Sequence, residues 1–252
     1  MTQQANHFAD PDITQRTSLR VGMYSSILTA LITLITFGVA ITALPNSGAG
    51  CQENCFEYPY LDTLAEYPQD YWWMYLAVIQ LLVYVIWLAS LHACAPQSKK
   101  IFSQIGLAFG WMAGLILVGD YFVQFSVVPV SLMNGETQGI TLLTQYNPHG
   151  VFIVLEELGY LLMSLSFLFL APVFSGKNRL ETAVRWIFIA GFALSLIALV
   201  VVSINYGLER QDRFEVAVIS IDWLVLLVNG MLIGRVFNKQ LKETATVPLH
   251  AG

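Results

Sequence analysis

The chain has 252 residues, of which 56% are hydrophobic and only 12% charged, and its formal net charge is −5. Soluble domains carry about 25% charged residues, so this chain holds more apolar surface than one soluble core of its length can hide. The absence of any basic stripe excludes a nucleic-acid ligand, and three cysteines with no second pair or histidine cluster exclude a zinc site.

The apolar residues fall in six long blocks instead of periodic stripes, which is the pattern of membrane spans. A polar tail, residues 1–20, carries Arg16 and Arg20 and leads into the first block, Val21–Leu44, which is too long for a signal-peptide core. The second block is Tyr71–Ala95, the third Ile101–Val128 and the fourth Val151–Phe174. The fifth is Thr182–Tyr206 and the sixth Glu215–Phe237, before a tail at 238–252. Each has the roughly 20 residues that a helix needs to cross about 30 Å of hydrocarbon. Lipid offers no partners to backbone groups, so each span is expected to be helical. The expected fold is all-α: one domain, 21–237, forming a six-helix transmembrane bundle with no internal repeat.

Loop charge orients the bundle. The stretch Pro45–Asp70 holds Glu53, Glu57, Asp62, Glu66 and Asp70 and no Lys or Arg, and Pro129–Gly150 has no Lys or Arg either. Lys99 and Lys100 follow span two, Lys177, Arg179 and Arg185 follow span four, and Arg235, Lys239 and Lys242 lie at the C-terminal end. These basic sets fall on one side, so both termini are expected in the cytoplasm and the chain in a plasma membrane. Arg210 and Arg213 break the pattern, but Glu209 and Asp212 accompany them. Tyr67, Tyr71, Trp72, Trp73 and Tyr75 at the outer start of span two, and Trp186 at the inner start of span five, are expected to anchor the membrane edges.

Small residues mark helix contacts. Gly106, Gly110 and Gly114 recur every four residues on span three, as do Gly230 and Gly234 on span six. This spacing lets backbones approach closely, either inside the bundle, the favoured reading, or in a homodimer through one of these faces. Cys51 and Cys55 lie in the first outer loop, where an oxidising compartment permits a disulfide staple. Cys94 is at the opposite face and cannot join them.

Ionisable side chains within spans are expensive, by roughly 2.5–3.5 kcal/mol each, and they usually mark function. Asp120, Glu156, Glu157 and Asp222 stand out. Asp120 lies eight residues before Val128, Glu156 and Glu157 five and six after Val151, and Asp222 seven after Glu215. All four therefore lie roughly 8–12 Å below the outer surface. Gln80 belongs to the same layer, and Gln124 and Tyr160 share helix faces with Asp120 and Glu156. Tyr121 adjoins Asp120. His149, just before span four, is placed to hang over the opening. Glu156 and Glu157 point about 100° apart, so one of them is expected to face the centre. No Lys or Arg lies at that depth. The balancing charge must come from protons, a bound cation, an amine ligand or water, or from Arg210 or Arg213 dipping in.

Asn147-Pro148-His149-Gly150 also reads as a helix-start signal, with Asn147 as the cap and Pro148 in the first turn. His92, near the inner end of span two, reads as a polar helix-end residue. The run Tyr146–Gly150 into Leu155–Tyr160, with Asp120-Tyr121-Phe122 and the Pro129/Glu136 loop, resembles small six-span bacterial membrane proteins classed as domains of unknown function. That resemblance implies no activity and no site.

The expectation is thus a membrane protein with an outward-facing acidic cavity that binds or passes a small cationic or polar ligand or protons. No cofactor or metal is expected, and an enzyme is not favoured. The alternatives are a lipid-active membrane enzyme using intramembrane carboxylates, and a structural or accessory subunit. The lipid bilayer and a small ligand are the expected partners.

Overall fold

The computed structural model describes residues 11–42, 46–174, 176 and 178–246. Among them there are helices and no strands. In chain order the α-helices are α1 (Pro11–Ala40), α2 (Trp72–Cys94), α3 (Lys100–Ser126), the short α4 (Val128–Met133) and α5 (Ile140–Leu143), then α6 (Val151–Leu170), α7 (Arg179–Tyr206) and α8 (Arg213–Thr246). Six of these, α1, α2, α3, α6, α7 and α8, are long and apolar enough to cross a membrane. The chain is a multi-pass membrane protein.

Helix ends follow local chemistry. Pro96 closes α2, because the residue before proline avoids helical geometry and Ala95 is extended; Pro129, with no N–H to donate to the end of α3, instead sits in the first turn of α4. Pro172 turns the end of α6 into a short 3-10 segment, Ala171–Val173. Asn178 caps α7, its side chain accepting from the Glu181 amide at 3.0 Å while its Nδ2 donates to the Glu181 carboxylate. The expected span Val21–Leu44 starts earlier, at Pro11, and its helix stops at Ala40. Leu44 and Lys177 lie outside the described residues. The last span runs past Phe237 to Thr246, because polar helix formers such as Gln240, Lys242 and Glu243 extend a helix into water as readily as apolar ones do within lipid. The expected helix start at Asn147 is corrected: α6 begins at Val151 with Gly150 before it. Asn147 instead ties its loop, with Nδ2 donating to the Thr141 carbonyl and Oδ1 accepting from the His149 amide.

The spanning helices form a closed ring. α1 packs on α2 and α8, α2 on α3, α3 on α6, and α7 on α6 and α8; α6 also reaches α8. Both glycine rows are used inside this ring. A Cβ at Gly110 would lie 2.0 Å from Leu88, Gly106 meets Leu170 and Ser166, and Gly114 meets Val85. Gly230 and Gly234 meet Ser26, Ala30 and Ile27 of α1. Both rows are thus used in close packing within one chain.

The two ends of the ring differ. Arg16, Arg20, Lys99, Lys100, Arg179 and Lys242 lie at one end. Here Lys100 Nζ donates to the last carbonyls of α2, His92 and Ala93. His92 itself lies 2.9 Å from Ser103 Oγ and serves as a helix-end residue. The half of the bundle toward this basic end is aromatic: Trp87, Phe167 and Phe188 are fully buried, and Phe167 stacks on Phe188. The other end carries three acidic or neutral loops lashed together. Tyr146 Oη and Asn46 Nδ2 both donate to Asp70 Oδ2 at 2.9 Å, Thr141 Oγ1 donates to the Pro59 carbonyl, and the Ala49 amide donates to Asp212 Oδ1. Cys51 and Cys55 are joined by a disulfide within this cap.

Candidate functional site

Beneath the lashed loops, the outer ends of α1, α2, α6 and α8 enclose a cavity of about 420 Å³. Phe37, Ala40 and Ile41 come from α1 and its exit, Trp73 from α2, Phe152, Ile153 and Glu156 from α6, and Glu215, Val216, Ile219, Ser220 and Trp223 from α8. Asn46, Ser47, Asp70, Gln145, Tyr146, Pro148 and Asp212 close it from the loops. Ile41 and Val216, both largely exposed, form its rim between α1 and α8.

Four carboxyl groups line this space, Asp70, Glu156, Asp212 and Glu215, and no Lys or Arg does. Asp70 and Asp212 spend oxygens on the loop contacts just described. Glu156 is different. It is completely buried, and a directed set of donors converges on its Oε1. Tyr121 Oη donates to Glu156 Oε1 at 2.6 Å, so the 2.9 Å contact between Tyr121 and Tyr160 is donated by Tyr160. Trp223 Nε1 in turn donates to Tyr160 Oη at 3.0 Å. Donors aligned head to tail polarise one another. Among the described residues no N–H or hydroxyl donor reaches Glu156 Oε2; the Glu215 carboxyl is within hydrogen-bonding reach of Glu156, so the two groups can share a proton. Asp120, on α3, is within electrostatic reach of both.

Glu157 faces elsewhere. Its carboxylate pairs with Arg210 from the loop between α7 and α8, so the charge next to Glu156 is neutralised by a cation that bypasses the cavity. Arg213 does not dip in; it stacks over the Tyr206 ring at 4.2 Å and bonds the Glu209 carbonyl.

Of the residues singled out from sequence, Glu156 lines the cavity, while Tyr160 supports it from behind and Asp120 lies close by. Asp222 is deeper, fully buried, with Ser164 Oγ 2.7 Å from its Oδ1 and Ser195 Oγ 2.8 Å from Ser164. Gln124 is buried beside Tyr71 and Gln80 is buried on α2, both off the cavity wall. His149 is exposed and also off it. Glu215 was read as a span boundary, although it lies seven residues from Asp222 and so shares its helix face; that spacing was the available signal. Asp212, Tyr146 and the aromatic walls come from chain-distant segments and carry no local signature. No three His, Cys, Asp or Glu side chains converge as a metal site among the described residues.

No protein-family model matches the chain, and neither a curated protein nor a solved structure does.

Proposed function

We propose that this protein binds a small cation, or passes protons, through an outward-facing acidic cavity whose central group is Glu156. The observation that carries the reading is a fully buried carboxyl group that accepts from Tyr121 and lies within reach of the Glu215 carboxyl, on the wall of a cavity lined by three further carboxyls and no Lys or Arg. Two adjoining buried carboxyls can both be charged only at a high cost when no cation is beside them, and a cation entering the cavity would lower that cost. Asp120, Glu215 and Tyr160 assist, and Asp222, Gln80, Gln124, Glu157 and His149 form the surrounding polar layer. The reading is of a binding or conducting protein with no cofactor and no catalytic step.

The cavity lies at the end without Lys99, Lys100, Arg179 and Lys242, so the positive-inside rule directs it away from the cytoplasm, with both termini cytoplasmic. The resemblance of the 146–160 region points to the bacterial inner membrane. A C-terminal fluorescent-protein fusion that is dark, paired with an active alkaline phosphatase fusion at the same site, would reverse the orientation.

The test of the site uses purified protein, with ammonium binding followed by intrinsic fluorescence and proton entry followed in pyranine-loaded liposomes. Glu156→Gln is expected to lower cation affinity by roughly tenfold or more, the loss of one buried charge pairing, and to slow any proton entry. A folded Glu156→Gln protein indistinguishable from wild type in both assays would refute the reading.

A further inference from the structure

The walls of the cavity say more than its charge. Five aromatic residues line it, Phe37, Trp73, Tyr146, Phe152 and Trp223. Phe37 meets Trp223 with ring centroids 5.8 Å apart and planes at 79°, and Trp73 meets Trp223 at 6.5 Å and 61°. Rings set at steep angles make corners, and a corner presents π faces from two directions. The Glu156 and Glu215 carboxyls lie on the α6 and α8 side of the same space.

A bare alkali ion or a divalent metal gains little here. Such ions need oxygens on several sides to replace their water, whereas these oxygens are grouped and no metal-like convergence exists among the described residues. An ammonium whose hydrogens are replaced by alkyl groups has the opposite needs. It is weakly hydrated, spreads its charge over an apolar surface, and is held by aromatic faces with a carboxylate nearby. A volume of about 420 Å³ lies toward the small end of ligand sites, which suits a compact head group.

Resting on the cation-binding reading above, we propose that the ligand is an organic cation with an alkylated ammonium head, held in the aromatic corner of Trp73, Trp223 and Phe37 and balanced by Glu156 and Glu215. Ile41 and Val216 open the rim between α1 and α8, so that head can belong to a dissolved amine or to a choline lipid.

The experiment titrates the protein, in phosphatidylglycerol nanodiscs at constant ionic strength, with tetramethylammonium chloride and separately with ammonium chloride, reading tryptophan fluorescence. Tetramethylammonium is expected to bind roughly tenfold tighter than ammonium, and Trp73→Leu to weaken tetramethylammonium by roughly 5- to 30-fold with little change for ammonium. Phe37→Leu is a second check on the opposite wall, and Glu156→Gln is expected to weaken both ions. Repeating the titration in phosphatidylcholine nanodiscs separates the sources. A weaker apparent affinity there identifies a competing lipid head, and an unchanged one a dissolved amine; either supports the shared chemistry. Equal affinity for the two ions, or equal losses for both in Trp73→Leu, overturns the alkylated-ammonium assignment while leaving the acidic cavity standing, provided Glu156→Gln still weakens binding. Binding of neither ion, or binding indifferent to Glu156→Gln, overturns both.

Discussion

Replacing Arg210 should cost more stability than replacing its partner. Glu157 has a side chain only 5% exposed, whereas that of Arg210 is 35% exposed. Removing one partner of a buried pair typically costs about 3–5 kcal/mol because the other charge is stranded; the exposure of Arg210 admits water and reduces this to about 2 kcal/mol. Glu157→Gln strands only the arginine, which can turn to solvent, so it should cost about 1 kcal/mol or less. For a chain of this size the melting temperature should fall by roughly 4–8 °C in Arg210→Ala and roughly 2–4 °C in Glu157→Gln. The double variant should melt close to Glu157→Gln alone, since without the carboxylate the guanidinium has nothing to neutralise. The assay is thermal unfolding in detergent monitored by tryptophan fluorescence. An Arg210→Ala melt equal to or above that of Glu157→Gln, or strictly additive losses in the double variant, would refute the account of a stranded acid.

Gly110→Ala should destabilise the bundle by about 1–3 kcal/mol through overpacking, because its new Cβ would lie 2.0 Å from Leu88 Cδ1. Gly38→Ala, with nothing within 4 Å, should be neutral or slightly stabilising in the same melt. Ser164→Ala takes the hydroxyl away from fully buried Asp222 and should cost about 1–3 kcal/mol, whereas Asp222→Asn, which keeps a partner for Ser164, should cost less. Burial, more than its neighbours Tyr71 and Asp70, raises the Tyr146 phenol above the ordinary tyrosine range. A raised folded value means the folded state holds that proton more tightly. Its contribution is therefore complete below about pH 10, where a free phenol titrates, and fades as the pH rises beyond that. Absorbance at 295 nm near pH 11 should show the same phenolate count in wild type and Tyr146→Phe; one phenolate fewer in the variant would contradict this.

The six crossings were legible because hydrocarbon thickness sets a length that uninterrupted apolar residues report directly. Helix ends were less so. The start of α1 at Pro11 and the run of α8 to Thr246 involve residues that water and a helix both accept. The acids were legible as anomalies, since charge in a span is rare enough to be noticed one residue at a time. What each acid does was not. Glu156 and Glu157 are neighbours in sequence and differ only because Arg210, 53 residues further on, folds back to one of them. Numbering puts Asp120 and Asp222 at one depth, yet Asp222 lies deeper and is bonded by Ser164, and Glu215 stands nearer to Glu156. Depth along a helix can be read from numbering, whereas rotation about it requires the neighbours. The aromatic corner was read as membrane anchoring at Trp73 because the partners that turn it inward, Phe37 and Trp223, lie on the first and last helices.

That α1 and α8 pack side by side along the ring has a bearing on biogenesis. α1 buries Ser26, Thr29, Thr33 and Thr36, and Arg16 donates to the Thr244 carbonyl near the far end of the chain. During synthesis α1 enters the bilayer long before α8 exists; Trp87 of α2 reaches Ser26 early, while the face of α1 that packs on α8 must wait for that helix. Asp212, Glu215, Val216, Ile219, Ser220 and Trp223 of the cavity wall arrive with α8 and its approach. A prematurely terminated product would lack both the seal and the chamber, and the unsheltered hydroxyls would distinguish it from the finished protein to any membrane protease that surveys polar groups in lipid.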